Sequence, residues 1–319
     1  MAGTEIDLMP VRVRRADMIA DDIREFELVR PDSGELPHFT AGAHIAVRVP
    51  CGQVRKYSLC NDPAERDRYV IAVKRETPGT GGSLSMVEQA NAGDELMISA
   101  PRNNFALVKS PAGYVFIAGG IGITPIMSMV RHLTGEAAAR FKLVYCTRTP
   151  GTTAYRDELA APELSGRVTI HHDGGDLARA YDLWPLLEQP KGHVYCCGPR
   201  AMMEAVRDMT GHWSSSAVHF EAFSEPARQL PDDHPFSVRL ACSGEVVPVP
   251  VGVTILEALR AAGHEVPSSC ESGSCGTCRT RLLSGEPDHR DLVLAEHERQ
   301  GYIMVCVSRA RSAELVIDR

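Results

Sequence analysis

Three stretches of the chain follow different hydrophobic rhythms. Between residues 11 and 108 the apolar positions recur at every second residue in short runs. Examples are Val11 and Val13, Phe26 and Leu28, and His44-Ile-Ala-Val-Arg-Val-Pro50. This is the period of strands with one buried face. Turn-forming residues punctuate the runs at Pro31-Asp-Ser-Gly34, Pro50-Cys-Gly52 and Asn61-Asp-Pro63. Short strands at this spacing predict an antiparallel β-barrel.

The rhythm changes at Tyr114-Val-Phe-Ile-Ala118, an unbroken apolar run of the kind buried on both faces of a parallel sheet. A glycine turn and a helical pattern over 126–133 follow it, with Thr124 expected as N-cap and Pro125 at the first helical position. Further strands are expected over 141–148, 167–172, 193–199 and 218–223, with a helix over 200–207. Together they predict an α/β domain. Residues 224–235 then carry three prolines and mixed charge, which reads as a semi-rigid linker.

Beyond it, strands at 236–240 and 246–249 pair around Ser243-Gly-Glu245, Thr254 caps a helix over 255–262, and Gly263 ends that helix. A late strand over 302–308 carries Cys306. The expected organisation is a β-barrel over 1–108, an α/β parallel-sheet domain over 109–225, a linker over 226–234 and an α+β domain of β-grasp type over 235–319.

Composition narrows this little. A chain of 319 residues has room for several cores. A net charge of −7 without any Lys or Arg run argues against nucleic acid as partner. The most apolar stretch, 114–130, is broken by Gly119, Gly120, Gly122 and Pro125, so no membrane span is expected. The first residues lack the basic-then-apolar order of a secretory leader, so a cytoplasmic location is expected. There, most of the cysteines not used by a site are expected to serve as small buried hydrophobes.

The sharpest chemical signal is Cys270-Glu-Ser-Gly-Ser-Cys275-Gly-Thr-Cys278, with Cys306 far downstream. A C-x4-C-x2-C loop with a distant fourth cysteine is the plant-type spacing for one 2Fe–2S cluster. Four thiolates also suit zinc, but structural zinc sites pair two short clips and this chain has one.

The barrel carries two weaker signals. Arg55-Lys56-Tyr57-Ser58 places a cation and an aromatic ring on one strand face, and Ser58 with Lys56 on the other. An arginine there can grip a phosphate, although half-exposed edge strands look the same. After Ala72-Val73-Lys74, the run Gly79-Thr-Gly81-Gly82-Ser83 opens a helix, so free N–H groups there form a phosphate cradle or a plain hairpin loop.

In the α/β stretch, Gly119-Gly120-Ile-Gly122-Ile-Thr124-Pro125 presents a helix start to a pyrophosphate. Pro125 replaces the third glycine of the dinucleotide fingerprint, and a tight turn without ligand is the alternative. Thr147, Arg148, Cys197, Gly198 and Pro199 fall at strand C-terminal ends, where such sheets bind ligands. Asp173 ends another strand, where a carboxylate would accept ribose hydroxyls and repel the extra phosphate of NADP, favouring NADH. His171 and His172 read as ordinary strand-end residues.

Taken together, these motifs and their order resemble the phthalate dioxygenase reductase family, the single-chain reductases of Rieske-type aromatic oxygenases. The resemblance spans nearly the whole chain. It implies FMN, NADH and a 2Fe–2S cluster, with Phe223 as the aromatic that stacks between flavin and nicotinamide. The expected activity passes electrons from NADH through FMN to the cluster and on to a terminal Rieske-type oxygenase, a dioxygenase or an O-demethylase. A haem monooxygenase as acceptor, or a redox-sensing or zinc-binding module without enzymatic activity, are the alternatives.

Overall fold

A computed structural model describes residues 7–77, 81–135, 139–223 and 230–319. Gly79 and Thr80 of the glycine loop, and the start of the linker at 224–229, lie outside the described residues. The chain divides into two compact units, Met1–His219 and Phe220–Arg319.

The first unit begins with six antiparallel strands: β1 (Leu8–Ala20), β2 (Ile23–Val29), β3 (His44–Arg48), β4 (Val54–Ser58), β5 (Tyr69–Lys74) and β6 (Glu95–Ser99). Their order is β4-β3-β6-β1-β2-β5. A bridge between Leu59 and Ile71, with Cys60 N–H donating to the Val70 carbonyl at 2.7 Å, brings the two edges together and closes the barrel. Closure leaves no strand edge exposed to mispairing. The alternating residues Val11, Val13, Phe26, Leu28, Ile45 and Val47 fill its interior. Helix α1 (Gly82–Gln89) packs on β5 and β4.

The α/β half holds β7 (Tyr114–Gly119), α2 (Ile123–Thr134), β8 (Phe141–Thr147), the short α3 (Arg156–Leu159), β9 (Val168–His172), the short α4 (Trp184–Leu187), β10 (His193–Cys197), α5 (Arg200–Met209) and β11 (Val218–Glu221). The sheet order is β11-β10-β7-β8-β9, with β10, β7, β8 and β9 parallel. Barrel and sheet share one apolar cluster, in which Cys60, Val70 and Ala72 meet Phe116, Ile126 and Met127. Two polar ties fix the join: Ser128 Oγ donates to the Asn61 carbonyl at 2.9 Å, and Arg131 donates to the Cys60 carbonyl at 2.8 Å. Asn61 is fully buried, so these groups would cost more unpaired than they gain when paired.

One expectation is corrected here. Helix α2 starts at Ile123, out of a single 3₁₀ turn over Gly120–Gly122, so Gly122 is the N-cap and Thr124 is already helical. Pro125 is tolerated in the first turn because the first four helical N–H groups have no helical partner to lose. The Thr124 hydroxyl donates back to the Ile121 carbonyl at 3.0 Å.

The second unit contains β12 (Phe236–Leu240), β13 (Val246–Val249), α6 (Ile255–Ala261), β14 (Arg279–Ser284), β15 (Pro287–Asp288), β16 (Tyr302–Met304), β17 (Arg309–Ala310) and β18 (Glu314–Ile317). The main sheet runs β13-β12-β18-β14-β16, with β12 and β18 parallel. Strands β15 and β17 pair separately. Helix α6 begins with the expected cap: Thr254 Oγ1 accepts from Glu257 N–H at 3.1 Å while Glu257 accepts from Thr254 N–H at 2.8 Å. Gly263 follows in the left-handed region. A second correction falls at Cys306. Strand β16 stops at Met304, and the chain turns there, with Ser308 N–H on the Met304 carbonyl at 3.0 Å. Cys306 therefore stands on a turn.

Candidate functional site

The cysteine loop of the second unit is built from backbone conformations that few residues accept. Glu271, Gly273 and Gly276 all have positive φ, at 56°, 74° and 81°. These bends fold the loop back on its own sulfurs. Ser272 and Ser274 N–H both donate to Cys270 Sγ at 3.4 Å, and Cys270 N–H donates to Cys275 Sγ at 3.5 Å. The Thr277 hydroxyl lies 3.2 Å from Cys275 Sγ.

The Cys270 side chain hydrogen-bonds those of Cys275 and Cys306, and Cys306 that of Cys278, so the four sulfurs form a chain of neighbours. Those neighbours and the Ser272 N–H pull the Cys270 thiol far below its ordinary value. A two-iron group divides its four thiolates between two centres, and N–H groups aimed at sulfur are what such a cluster needs to hold negative charge. The donors present fit it.

In the first unit, β4 and the start of α1 come together as the sequence suggested. Arg55 and Tyr57 pair across from Val47 and Ile45 and share their face. A Cβ at Gly82 would lie 2.7 Å from Arg55 Nε, so a larger residue there would push the guanidinium away from the first turn of α1. Gly81 caps that helix at φ 83° and, being glycine, brings no side chain of its own to the first N–H groups. Arg55 is held by the Gln53 side-chain oxygen and the Val54 carbonyl. Among the described residues the buried Tyr57 hydroxyl has no partner, and burial pushes its pKa up.

A guanidinium, uncapped helical N–H groups and an orphaned hydroxyl on one side of a barrel end fit a phosphorylated flavin. Ser58, Ala72 and Val73 are buried nearby in sequence on β4 and β5, while Lys56 is exposed. Lys74 pairs with Glu76 at 2.5 Å, and Ser83 Oγ accepts from Glu76 N–H at 3.3 Å.

The nucleotide motifs converge at the C-terminal ends of β7, β8, β9 and β10, but the glycines differ in task. A Cβ at Gly122 would sit 2.2 Å from the Cys197 carbonyl oxygen, and one at Gly198 would sit 2.9 Å from the Gly119 backbone. Gly119 is similarly closed by Pro199 and Met202. These three glycines let two strand ends touch. Gly120 alone, at φ 53°, faces open space. Gly119 did not stand among the expected site residues, because a packing glycine and a ligand glycine look alike in sequence.

Thr147 is buried, its hydroxyl sharing hydrogen bonds with Thr153 at 2.8 Å and His172 Nδ1 at 2.9 Å. Asp173 accepts from Gly175 N–H at 2.7 Å, with Arg148 against that turn. Asp173 is also a secondary cause, after burial, of the Cys146 thiol's rise to about 11. His171 binds the Arg179 carbonyl at 2.7 Å, an ordinary strand-end role. Phe223 follows β11 and is 38% exposed.

A cleft of about 600 Å³ in this unit includes none of these residues. Arg15, Arg68, Arg131 and Arg156 there are matched by Glu25, Glu65, Asp157 and Glu158, so it offers no net charge to a phosphate.

Known proteins match all three parts. The oxidoreductase FAD-binding domain matches residues 10–107, the oxidoreductase NAD-binding domain 116–208, and the 2Fe-2S iron-sulfur cluster binding domain 238–311. The phthalate 4,5-dioxygenase oxygenase reductase subunit of Pseudomonas putida is 54% identical over 94% of this chain and 93% of its own. A solved phthalate dioxygenase reductase, described as a modular structure for electron transfer from pyridine nucleotides to [2Fe-2S], is 51% identical, covers 98% of both chains and superposes with a TM-score of 0.72.

The chain belongs to the phthalate dioxygenase reductase family. An intact type IV self-sufficient cytochrome P450 monooxygenase also contains the fold, at 36% identity over 98% of this chain and 41% of that one, with a TM-score of 0.71. As a phthalate dioxygenase reductase relative, the protein is an NADH-dependent flavin iron–sulfur oxidoreductase that relays electrons to a Rieske-type terminal oxygenase. Its cofactors are NADH, a 2Fe–2S cluster and a flavin, which in phthalate dioxygenase reductase is FMN. Among the described residues no helix is long and apolar enough to cross a membrane.

Proposed function

We propose that this reductase works in the cytoplasm and serves an oxygenase acting on an aromatic carboxylate of the phthalate kind. The observation that carries this is identity of 54% and 51%, over 94% and 98% of the chain, with two phthalate oxygenase reductases, well above the 38% shared with a vanillate O-demethylase oxidoreductase.

In this reading Arg55, with Gly81, Gly82 and Ser83, holds the FMN phosphate, and the Tyr57 hydroxyl finds its partner there. Ser58, Thr124 and Lys74 face the flavin, and Lys56, Ala72 and Val73 complete its surround. Gly120, Thr147, Arg148 and Asp173 receive the dinucleotide, with Gly122, Cys197, Gly198 and Pro199 shaping its floor. Phe223 is assigned the stacking role by its place in the sequence. Cys270, Cys275, Cys278 and Cys306 hold the cluster. The domains divide at 108 and 225, with the linker over 226–234 and the ferredoxin domain from 235. The flavin supplies the conversion of a two-electron donor into single electrons, and the chain's task is to orient the donor and exclude water.

The test is an anaerobic spectrum before and after NADH, with the released flavin identified by chromatography, followed by turnover with purified phthalate oxygenase. Bleaching of flavin and cluster bands, release of FMN and coupled product formation are expected. A protein that reduces a vanillate demethylase oxygenase but not a phthalate oxygenase would overturn the substrate class. The P450 fusion favours a second reading, a haem acceptor, which wins if only a haem monooxygenase turns over.

A further inference from the structure

The end of the linker carries a buried carboxylate that the sequence reads as one more linker charge. The side chain of Asp233 is 4% exposed. Its oxygens accept from both Nη atoms of Arg290 and from Leu230 N–H, and Arg309 Nε lies 3.7 Å away. Arg290 also binds Asp288, at 2.7 Å through Nε. Arg309 is nearly buried too, donating to the carbonyls of Val253 and His234 at 2.7 and 3.0 Å. Arg290 and Arg309 draw the Asp233 carboxyl below the usual carboxylate range.

Both arginines belong to segments that touch the cysteine cradle. The N–H of Arg290 donates to Ser308 Oγ at 3.3 Å, and Ser308 is fully buried two residues after Cys306. The neighbouring Asp291 is fully buried and accepts from Val293 and Leu294 N–H at 3.1 and 2.7 Å, which fixes the turn. That turn sends Leu292 N–H to the Gly273 carbonyl, in the middle of the cysteine loop, at 3.0 Å. Gly273 is pressed between this segment and Val307: an added Cβ would lie 3.2 Å from Asp291 Cα and 2.7 Å from Val307 Cγ2. Segment 288–294 thus grips the cluster loop on one side and the Cys306 turn on the other, and Asp233 grips the segment.

We infer that Asp233 is a positioning residue for the iron–sulfur cluster, clamping the linker end through Arg290 onto the segment that holds Gly273 and the Cys306 turn. A buried ion pair is seldom needed for stability alone, since well-packed apolar residues often serve as well. Here it ties the cradle to the chain segment that leads in from the first unit. The inference rests on the assignment of Cys270, Cys275, Cys278 and Cys306 as ligands. Outer partners of this sort tune the orientation and electronics of the ligands.

The experiment compares the full-length holoprotein with Asp233→Asn and with the double variant Asp233→Asn/Arg290→Met. In Asp233→Asn one of the two carboxylates facing Arg290 is neutralised while Asp288 stays, so the surroundings of the cradle become one charge more positive. The cluster is expected to be lost to a chelator roughly tenfold faster, its reduced-state EPR spectrum to change, and its midpoint potential to rise. NADH-driven reduction of a two-electron dye, which reports the first unit, is expected to stay at the wild-type rate. The double variant removes both charges and is expected to bring the potential back toward wild type. Asp233→Asn with a lower melting temperature but wild-type EPR, potential and release rate would reduce Asp233 to a structural residue and overturn the inference. A wild-type protein with no 2Fe–2S EPR signal on reduction would overturn the ligand assignment itself, a distinguishable failure.

Discussion

In the proposed reading the two units present their cofactors with different atoms. The second unit offers side chains: four thiols, on a loop whose left-handed residues Glu271, Gly273 and Gly276 turn N–H groups onto the sulfurs. The first unit offers mostly backbone: the open start of α1 against Arg55, and strand ends brought into contact because Gly119, Gly122 and Gly198 lack a Cβ. A ligand set made of side chains must be written in residue identity and spacing. A cradle made of backbone needs only the absence of side chains, which many sequences satisfy for other reasons. The same difference decides how each unit fails when one residue changes.

The largest effect belongs to the cluster. With Cys275 as a cluster ligand, Cys275→Ser replaces a thiolate with a poor iron ligand and is expected to abolish electron transfer to a one-electron protein acceptor. NADH-driven reduction of a two-electron dye should survive, because nothing in the first unit is touched. Stopped-flow traces with each acceptor separate the two, and equal loss of both activities would break the comparison by making the units one machine.

Next come the glycines, where the contrast can be sharpened within one motif. Gly122→Ala forces a methyl to 2.2 Å from the Cys197 carbonyl, where only backbone can yield. Overpacking of this kind costs about 3 kcal/mol, so both the melting temperature and NADH affinity should fall. Gly120→Ala meets open space and bears only the left-handed backbone strain, about 1–2 kcal/mol. Thermal melts and NADH titrations of the pair should rank Gly122 above Gly120. The reverse ranking would mean that Gly122 is not a packing position.

This pair also shows how far the sequence could be read. The alternation of Val11, Val13, Phe26 and Leu28 and the apolar run 114–118 were enough to predict barrel and parallel sheet, because burial of alternate or continuous apolar residues is a local pattern. The cysteine spacing predicted its own loop. Thr124 and Pro125 misplaced the start of α2 by two residues, since a 3₁₀ turn of glycines leaves no propensity signal ahead of a helix. Asp233 could not be seen at all. Its partner Arg290 is 57 residues away, and an aspartate among prolines carries no mark of burial.

A smaller effect is expected at Arg55, whose charge sits at the opening of α1. Arg55→Met removes a charge-assisted hydrogen bond of about 1.5–3 kcal/mol, a roughly ten- to hundredfold loss of flavin affinity. Fluorescence titration of the flavin-free protein with FMN measures it directly. Cluster absorption should not change, since the loss is confined to the unit that uses backbone and a single cation. Weakened cluster retention in this variant would contradict that separation.

The smallest expected effect is a difference between the units in acid. His219 stacks on Tyr195 with ring centroids 4.3 Å apart and shares a hydrogen bond with His193 at 2.9 Å. Burial, and then the neighbouring His193, lower its pKa from 6.5 to about 4. The groups facing it are His193 and Tyr195, with Tyr114 behind Tyr195, and none of them carries a negative charge to favour protonation. A histidine held neutral by the fold contributes stability that is fully present above its unfolded pKa and is lost as pH falls from 6.5 toward 4. Asp233 in the second unit has its pKa lowered, so its contribution persists through that whole window and is lost only below the ordinary carboxylate value of about 3.9. Between pH 6.5 and 4 the first unit should therefore loosen ahead of the second, with flavin fluorescence rising before the visible circular dichroism of the cluster changes. His219→Gln keeps a hydrogen-bonding side chain without the titration and should flatten the flavin response in that window. Coincident transitions, or an unchanged response in the variant, would place the acid sensitivity elsewhere in the first unit.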